Sequence, residues 1–353
     1  MKRSRDNHGV VLLVVLFFAL LLSSSIATFL SRSTVDAIIA RNRENAARAD
    51  ALARGGVRLA QALLLEDRLR EQLAATPPID GHLDLWAQLE GVEIDAGGGA
   101  TLTLSIEDSG RRLNLNALFE TDDTGTRGPA SETEPFLIAF LEKVIDEMPI
   151  PPGERALYDV RELTANLIDW IDADDVRLRG GPEDDYYQRQ EPPYRAANRP
   201  ILSVDELRLV EGFDIALVEA LRTYVSVYPF APGGCGNKLV GCGVNLNSAP
   251  PHVLAALFYN DGVDLRLASE DVVRAILRAR QEGGGVCPED QSTEDCTPIR
   301  EIVTNAIFPP PTFTSEIFVV TSEARVGEIR RSVEAVVDRS KPTEPRLLSW
   351  RVR

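Results

Sequence analysis

The side chains best suited to chemistry lie between Asp169 and Tyr187. Asp169, Asp172, Asp174, Asp175, Glu183, Asp184 and Asp185 crowd around a Gly180-Gly181 pair. Hard cations such as Ca2+ take several oxygen ligands from a flexible loop. Asp172, Asp174 and Glu183 fall at the first, third and twelfth places of an EF-hand count, but Val176 occupies the fifth and Arg177 stands where glycine is required. That excludes an EF-hand and leaves Ca2+, with Asp172, Asp174, Asp175, Glu183 and Asp184 as candidate ligands. A solvated acidic loop is the plain alternative. Gathering seven carboxylates without a counterion costs repulsion, which favours the metal.

Catalytic constellations are absent from the sequence. Gly233-Gly234-Cys235-Gly236-Asn237-Lys238 has the wrong spacing for a P-loop and no Ser or Thr after the lysine. There is no H-E-x-x-H and no G-x-S-x-G motif. His82 and His252 stand alone, as surface or capping residues rather than bases. The chain is read as a non-enzyme. Its four cysteines, Cys235, Cys242, Cys287 and Cys296, lack zinc spacing, and an even count in an oxidising compartment reads as disulfides. Local loops 235–242 and 287–296 are the favoured pairs, and cross-pairing stays open.

The formal net charge of -16 opposes binding to a phosphate backbone. Two segments, one around Val204–Val225 and one running from Asn245 to Arg280, resemble helix-hairpin-helix units. Glu211 and Asp214 crowd the first hairpin, and Asp261 and Asp264 lie in the second. Acidic hairpins repel phosphate, so both are read as packing units and no nucleic-acid partner is expected.

The elements that position these residues begin with an apolar run from Val10 to Leu30. It is long enough to cross a bilayer as one helix, and Lys2, Arg3 and Arg5 place residues 1–9 in the cytoplasm. His8-Gly9 precedes the run. Beyond it, apolar residues recur at Val35, Ile38, Ile39, Ala46, Ala49, Leu52, Ala53, Val57, Ala60, Leu63 and Leu64, a helical period without a proline. A spanning helix running into an amphipathic one resembles a type IV pilin or pseudopilin stem. A plain anchor, or a signal peptide cut near Ser25-Ile26-Ala27, would explain the apolar run but not its amphipathic continuation. Val14 stands fifth after Gly9, where most pilins and pseudopilins carry glutamate. Such a carboxylate in lipid is tolerated only beside a neighbour's amine, so its absence suggests a subunit with none ahead of it.

The expected order is a leader at 1–9, a stem at 10–76 and the first sheet segment at 77–124. An inserted α-helical domain follows at 125–305, and C-terminal strands close the chain at 306–353. Thr101–Ile106 reads as a strand after a glycine turn, Ser131/Glu134 and Ser203/Glu206 as capping boxes, and Asn247–Pro250 as the start of a helix to about Phe258. Strands at 314–324 and 329–338 flank a Val326-Gly327 hairpin, and Leu347–Val352 adds a last strand anchored by Trp350. The fold class is α+β, a long N-terminal helix packed on an antiparallel sheet with a large helical insertion.

Leu113-Asn114-Leu115-Asn116, the Leu167–Asp174 stretch, Pro192–Arg199, Ser203–Leu207 and Val244–Pro250, with the Gly9/Val10 junction, together resemble protein K of the type II secretion pathway, a minor pseudopilin. The resemblance covers nearly the whole chain. It implies cleavage after Gly9 by prepilin peptidase, N-methylation at Val10, and a stem in the inner membrane with the bulk of the chain in the periplasm. It also implies calcium in the insertion and a place at the pseudopilus tip beside other minor pseudopilins and above the major one. There the subunit would cap the filament, nucleate its assembly and aid export of folded proteins. A single-span anchored periplasmic protein that captures exoproteins or DNA is the alternative. The mature N-terminus distinguishes the two.

Overall fold

The computed structural model describes residues 8–73, 78–122, 124, 126–228, 243–260, 264–282, 284–289, 296–303, 306–341 and 345–352. With no proline to break it, helix α1 runs unbroken over His8–Leu73, 66 residues or roughly 100 Å. Gly9 and Val10 stand in its first turn. From Val10 to Ile39 its large apolar side chains are exposed on every side. It is long and apolar enough in that half to cross a membrane. The other half is amphipathic. Ala49, Ala53, Val57, Ala60 and Leu64 are fully buried at helical spacing.

They pack on one antiparallel sheet of β1 (Glu93–Gly97), β2 (Ala100–Asp108), β3 (Ile317–Val326), β4 (Ile329–Asp338) and β5 (Arg346–Val352), in that spatial order. Strict alternation along β2 sends Leu102, Leu104 and Ile106 toward the stem, joined by Phe318, Val320, Ala324, Val333, Ala335 and Val337. Small residues bring helix and sheet close. A Cβ built on Gly56 would overlap Ser322 Oγ and crowd Leu102, so glycine lets the two approach. Gly327 turns the β3–β4 hairpin with φ 59°, which an L side chain resists.

The register pairs Asp108 with Phe318. The two ends of the insertion therefore leave adjacent strands at the same end of the sheet, and residues 109–316 enter without disturbing the meander. Sequence reading opened the inserted domain at 125. Leu113, Leu115, Leu118 and Phe119 already lie in its core, and Ile307 lies there too. That core is built mainly by α2 (Thr133–Glu147), α3 (Val160–Ile171), α4 (Ile215–Leu221) and α5 (Glu270–Glu282). Aromatic pairs such as Phe136/Phe258 and Trp170/Tyr187 cross it at 5.2 Å.

Local expectations met mixed outcomes. Ser203 Oγ accepts from Asp205 N–H while the Glu206 carboxylate accepts from Leu202 N–H, a capping exchange around a 3-10 turn. Ser131 caps nothing, because α2 starts at Thr133, whose hydroxyl donates to Leu118 O at 2.6 Å. The helix after Pro250 lasts only Pro251–Leu254, and Phe258–Asn260 is a strand paired with Ile307–Phe308. Trp350 does not anchor β5. It is 38% exposed and lies under the Arg54 guanidinium. Leu113–Asn114 pairs with Val225–Ser226 in the helical unit.

The Leu-Asn-Leu-Asn pattern is architectural. Asn116 Nδ2 donates to Ile201 O and Val227 O, and its Oδ1 accepts from Ile201 N–H. Asn247 likewise brackets Val286 through both amide ends. Buried amides satisfied on both sides brace irregular segments as a sheet partner would.

Candidate metal centre

Helix α3 starts where Asp159 accepts from the N–H groups of Arg161 and Glu162, and ends at Asp172, whose ψ of 179° leaves the helical region. The chain then folds into a hairpin. Val176 and Pro182 face one another as an isolated bridge, Arg177 N–H donates to Gly181 O, and Gly180 and Gly181 supply φ of 86° and 97°. This doubling-back sets Glu183 over Asp172 and Asp174. One carboxylate oxygen from each lies within 4.8 Å of the others.

Arg177 does not neutralise the group. Its Nη2 turns inward to Asn166 Oδ1 and Glu211 Oε2, both at 2.8 Å, which pins the hairpin to the helical unit. Asp169 accepts from Leu178 N–H and braces the same turn. Asp172 is 7% exposed and Glu183 3%. Asp172 Oδ1 and both oxygens of Glu183 are buried without a donor. Burial, then the neighbouring carboxylates, pushes Asp172 to about 7 and Glu183 to about 8.

Of the five candidate ligands, the hairpin thus assembles Asp172, Asp174 and Glu183. Asp175 stands beside them, its Oδ1 taken by Asn198 Nδ2 at 3.2 Å. Asp184 turns away to accept from Ala196 N–H and face Arg195. The EF-hand count placed the same three residues, yet the loop is a bridged hairpin leading to the four-residue helix Asp184–Tyr187. Asn198 escaped notice as a site residue. It adopts φ 44°, donates to Asp174 O at 2.7 Å and holds a buried Oδ1 without a donor. Its signal was present in the Pro192–Arg199 stretch, whose chemistry is invisible without the fold. The oxygen-only donor set and its orphaned buried atoms fit a hard divalent cation.

A second acidic group, Asp67, Asp80 and Asp84, lies where stem, linker and sheet meet. Here the cation is built in. Arg339, 1% exposed, donates to Asp67 Oδ2 at 2.7 Å, to Asp80 Oδ1, to Glu71 Oε1 at 3.4 Å and to Ser315 O, and sits 4.7 Å over the Phe318 ring. Burial opposes its charge, but Asp80, Glu71 and Asp67 overcome that and push its pKa up.

Cys287 and Cys296 form a disulfide, with Cα atoms 5.9 Å apart. Cys235 and Cys242 lie outside the described residues.

A family model described as type II secretion system protein K matches residues 111–230. Type II secretion system protein K of Pseudomonas aeruginosa is 28% identical over 348 residues, spanning 98% of this chain and 92% of its own length. That of Aeromonas hydrophila is 29% identical over 260 residues, covering 72% of this chain and 71% of its own. Klebsiella pneumoniae protein K is 32% identical over 234 residues, 65% and 62% of the two chains. In fold, the chain is similar to one from the GspK-GspI-GspJ complex of enterotoxigenic Escherichia coli, with a TM-score of 0.57 and 18% identity over 89% of this chain and 99% of that one.

Proposed function

The chain belongs to the type II secretion system protein K family, and we propose that it caps the tip of the pseudopilus and nucleates its assembly. As a minor pseudopilin it is a structural component of the secretion apparatus, not an enzyme. The observation that carries the capping role is the division of α1. Its apolar half from Val10 to Ile39 is exposed on all sides, free to pack against like stems, while Ala49–Leu64 is committed to its own sheet. The helical unit at one end of that sheet adds bulk that a mid-filament place would not accommodate. Val14, in place of a carboxylate, leaves no charge in lipid to be paired with a preceding amine. In this reading, prepilin peptidase cleaves after Gly9 and Val10 is methylated. The stem stays in the inner membrane, and two other minor pseudopilins, with the major one below, are the partners. The composition of the solved complex to which the fold is similar supports the choice of partners.

Ca2+ fits the hairpin, with Asp172, Asp174 and Glu183 as ligands, Asn198 Oδ1 nearby and Asp175 adding charge. A bound cation would relieve three mutually repelling carboxylates and hold the hairpin to α3. No nucleic-acid role is part of the proposal, given the acidic balance.

The test is mass spectrometry of the mature chain together with co-purification of the minor pseudopilins from cells. A chain beginning at methylated Val10, recovered with two minor pseudopilins, is expected. A chain beginning at Met1 or Thr28, recovered alone, would show an anchored or secreted binding protein instead.

A further inference from the structure

A cleft of about 320 Å³ opens between the sheet unit and α5. Trp86, Ala87 and Ile106 form one wall and Leu277 the other, with Arg111 and Arg280 among them. Arg280 is the unusual member. It is 8% exposed, and its Nε donates to Leu246 O at 2.6 Å. Its Nη2 is buried and has no partner. Among the described residues no carboxylate pairs with it. Burial lowers its pKa to about 10, Arg111 adds to that, and only the phenol of Tyr259 opposes. The contrast with Arg339, ringed by three carboxylates, is complete. A buried, unneutralised guanidinium is costly unless something pairs with it.

We propose that this cleft binds a small aliphatic monocarboxylate, its head group held by Arg280 at the inner wall. The guanidinium fork matches a carboxylate in shape and charge. Glu90, Glu107 and Asp108 also line the cleft, so a second negative charge on the ligand would meet repulsion, and a phosphate dianion fits less well. The apolar patch of Trp86, Ala87, Ile106 and Leu277, and a volume at the small end for ligand sites, suit a short hydrocarbon tail. Because the walls come from both units, the ligand would join the sheet unit to the helical unit.

The full chain in detergent micelles, titrated with sodium 4-methylpentanoate in a calorimeter, is expected to give a saturable one-site isotherm. The uncharged 4-methylpentanamide and inorganic phosphate should each bind at least about tenfold more weakly. Arg280→Gln should cost at least about tenfold in affinity. Gln281→Glu, a charge added at an exposed lining position, should weaken binding several-fold without touching the core, and decides the matter if Arg280→Gln does not fold. Absence of saturable heat to about 20 mM, amide or phosphate binding as tightly as the acid, or undiminished binding in Gln281→Glu would each overturn the proposal.

Discussion

Two acidic clusters of similar composition have opposite electrostatic endings. At the stem junction, Asp67 and Asp80 of the acidic group, with Glu71, gather around Arg339, and the charge is settled inside the chain. In the hairpin, no cationic side chain among the described residues pairs with Asp172, Asp174 and Glu183, because Arg177 is drawn inward to Asn166 and Glu211. A buried carboxylate needs a positive partner or a proton. The junction has the first. The hairpin must hold protons or, as proposed, take a cation from outside, so one cluster is a permanent rivet and the other the proposed site.

The largest effect is expected at the rivet. Arg339→Met strands Asp80 without its partner and should cost about 3–5 kcal/mol of stability, read from the urea midpoint with or without Ca2+. If Arg339→Met proved neutral, the junction would not be a locked pair. Next comes the hairpin. The proposed Ca2+ at about a hundred times its Kd should add about 2.7 kcal/mol, a rise of about 4 °C in Tm for a chain of this length. Asp172→Asn combined with Glu183→Gln should abolish that rise while leaving the chain in chelator at least as stable as before. A calcium response that survives both changes would place the ion elsewhere.

The pH profile sharpens the same contrast. Asp172 near 7 and Glu183 near 8 hold protons in the folded, metal-free chain that the unfolded chain, titrating near 4, has already released. Their stabilising contribution is complete below about pH 4 and is lost as pH rises through about 7 and 8. In chelator, Tm should therefore fall across that range, and saturating Ca2+ should flatten the fall. Asp84, pushed to about 6 by burial, acts with the same sign with or without the ion, so the difference between the two profiles isolates the hairpin. Smallest is Asn198→Gly, which keeps the positive φ and removes the amide. It should weaken Ca2+ by several-fold while moving Tm in chelator by about 1 °C or less.

Much of the frame is legible one residue at a time. Helical spacing from Ala49 to Leu64 marks the stem face, though Val35, Ile38 and Ile39, read as part of it, are exposed; alternation over Thr101–Ile106 and on both sides of Gly327 marks the strands, and Asp214 caps α4 as a short polar side chain before an apolar run should. Short elements escaped for a physical reason. Pro251–Leu254 and Phe258–Asn260 are too brief for a period to declare itself, and only the partner strand Ile307–Phe308 decides between helix and extension. Ser131 and Glu134 form a capping pattern in sequence, but Leu118 O claims Thr133 and sets where α2 begins.

What the chain dictates unaided is local and additive. An uncharged apolar run, amphipathic spacing, paired half-sheets and an acidic loop follow from side-chain type and period alone. What only tertiary structure decides is which charges find partners. Nothing in the order of residues distinguishes Arg339, which reaches back to Asp67 and Asp80, from Arg280, which reaches no carboxylate among the described residues, or from Arg177, which pairs with Glu162, Asp169 and Glu211 rather than with Asp172, Asp174 and Glu183. Burial removes water as the common solvent for charge, and from then on geometry chooses the counterion.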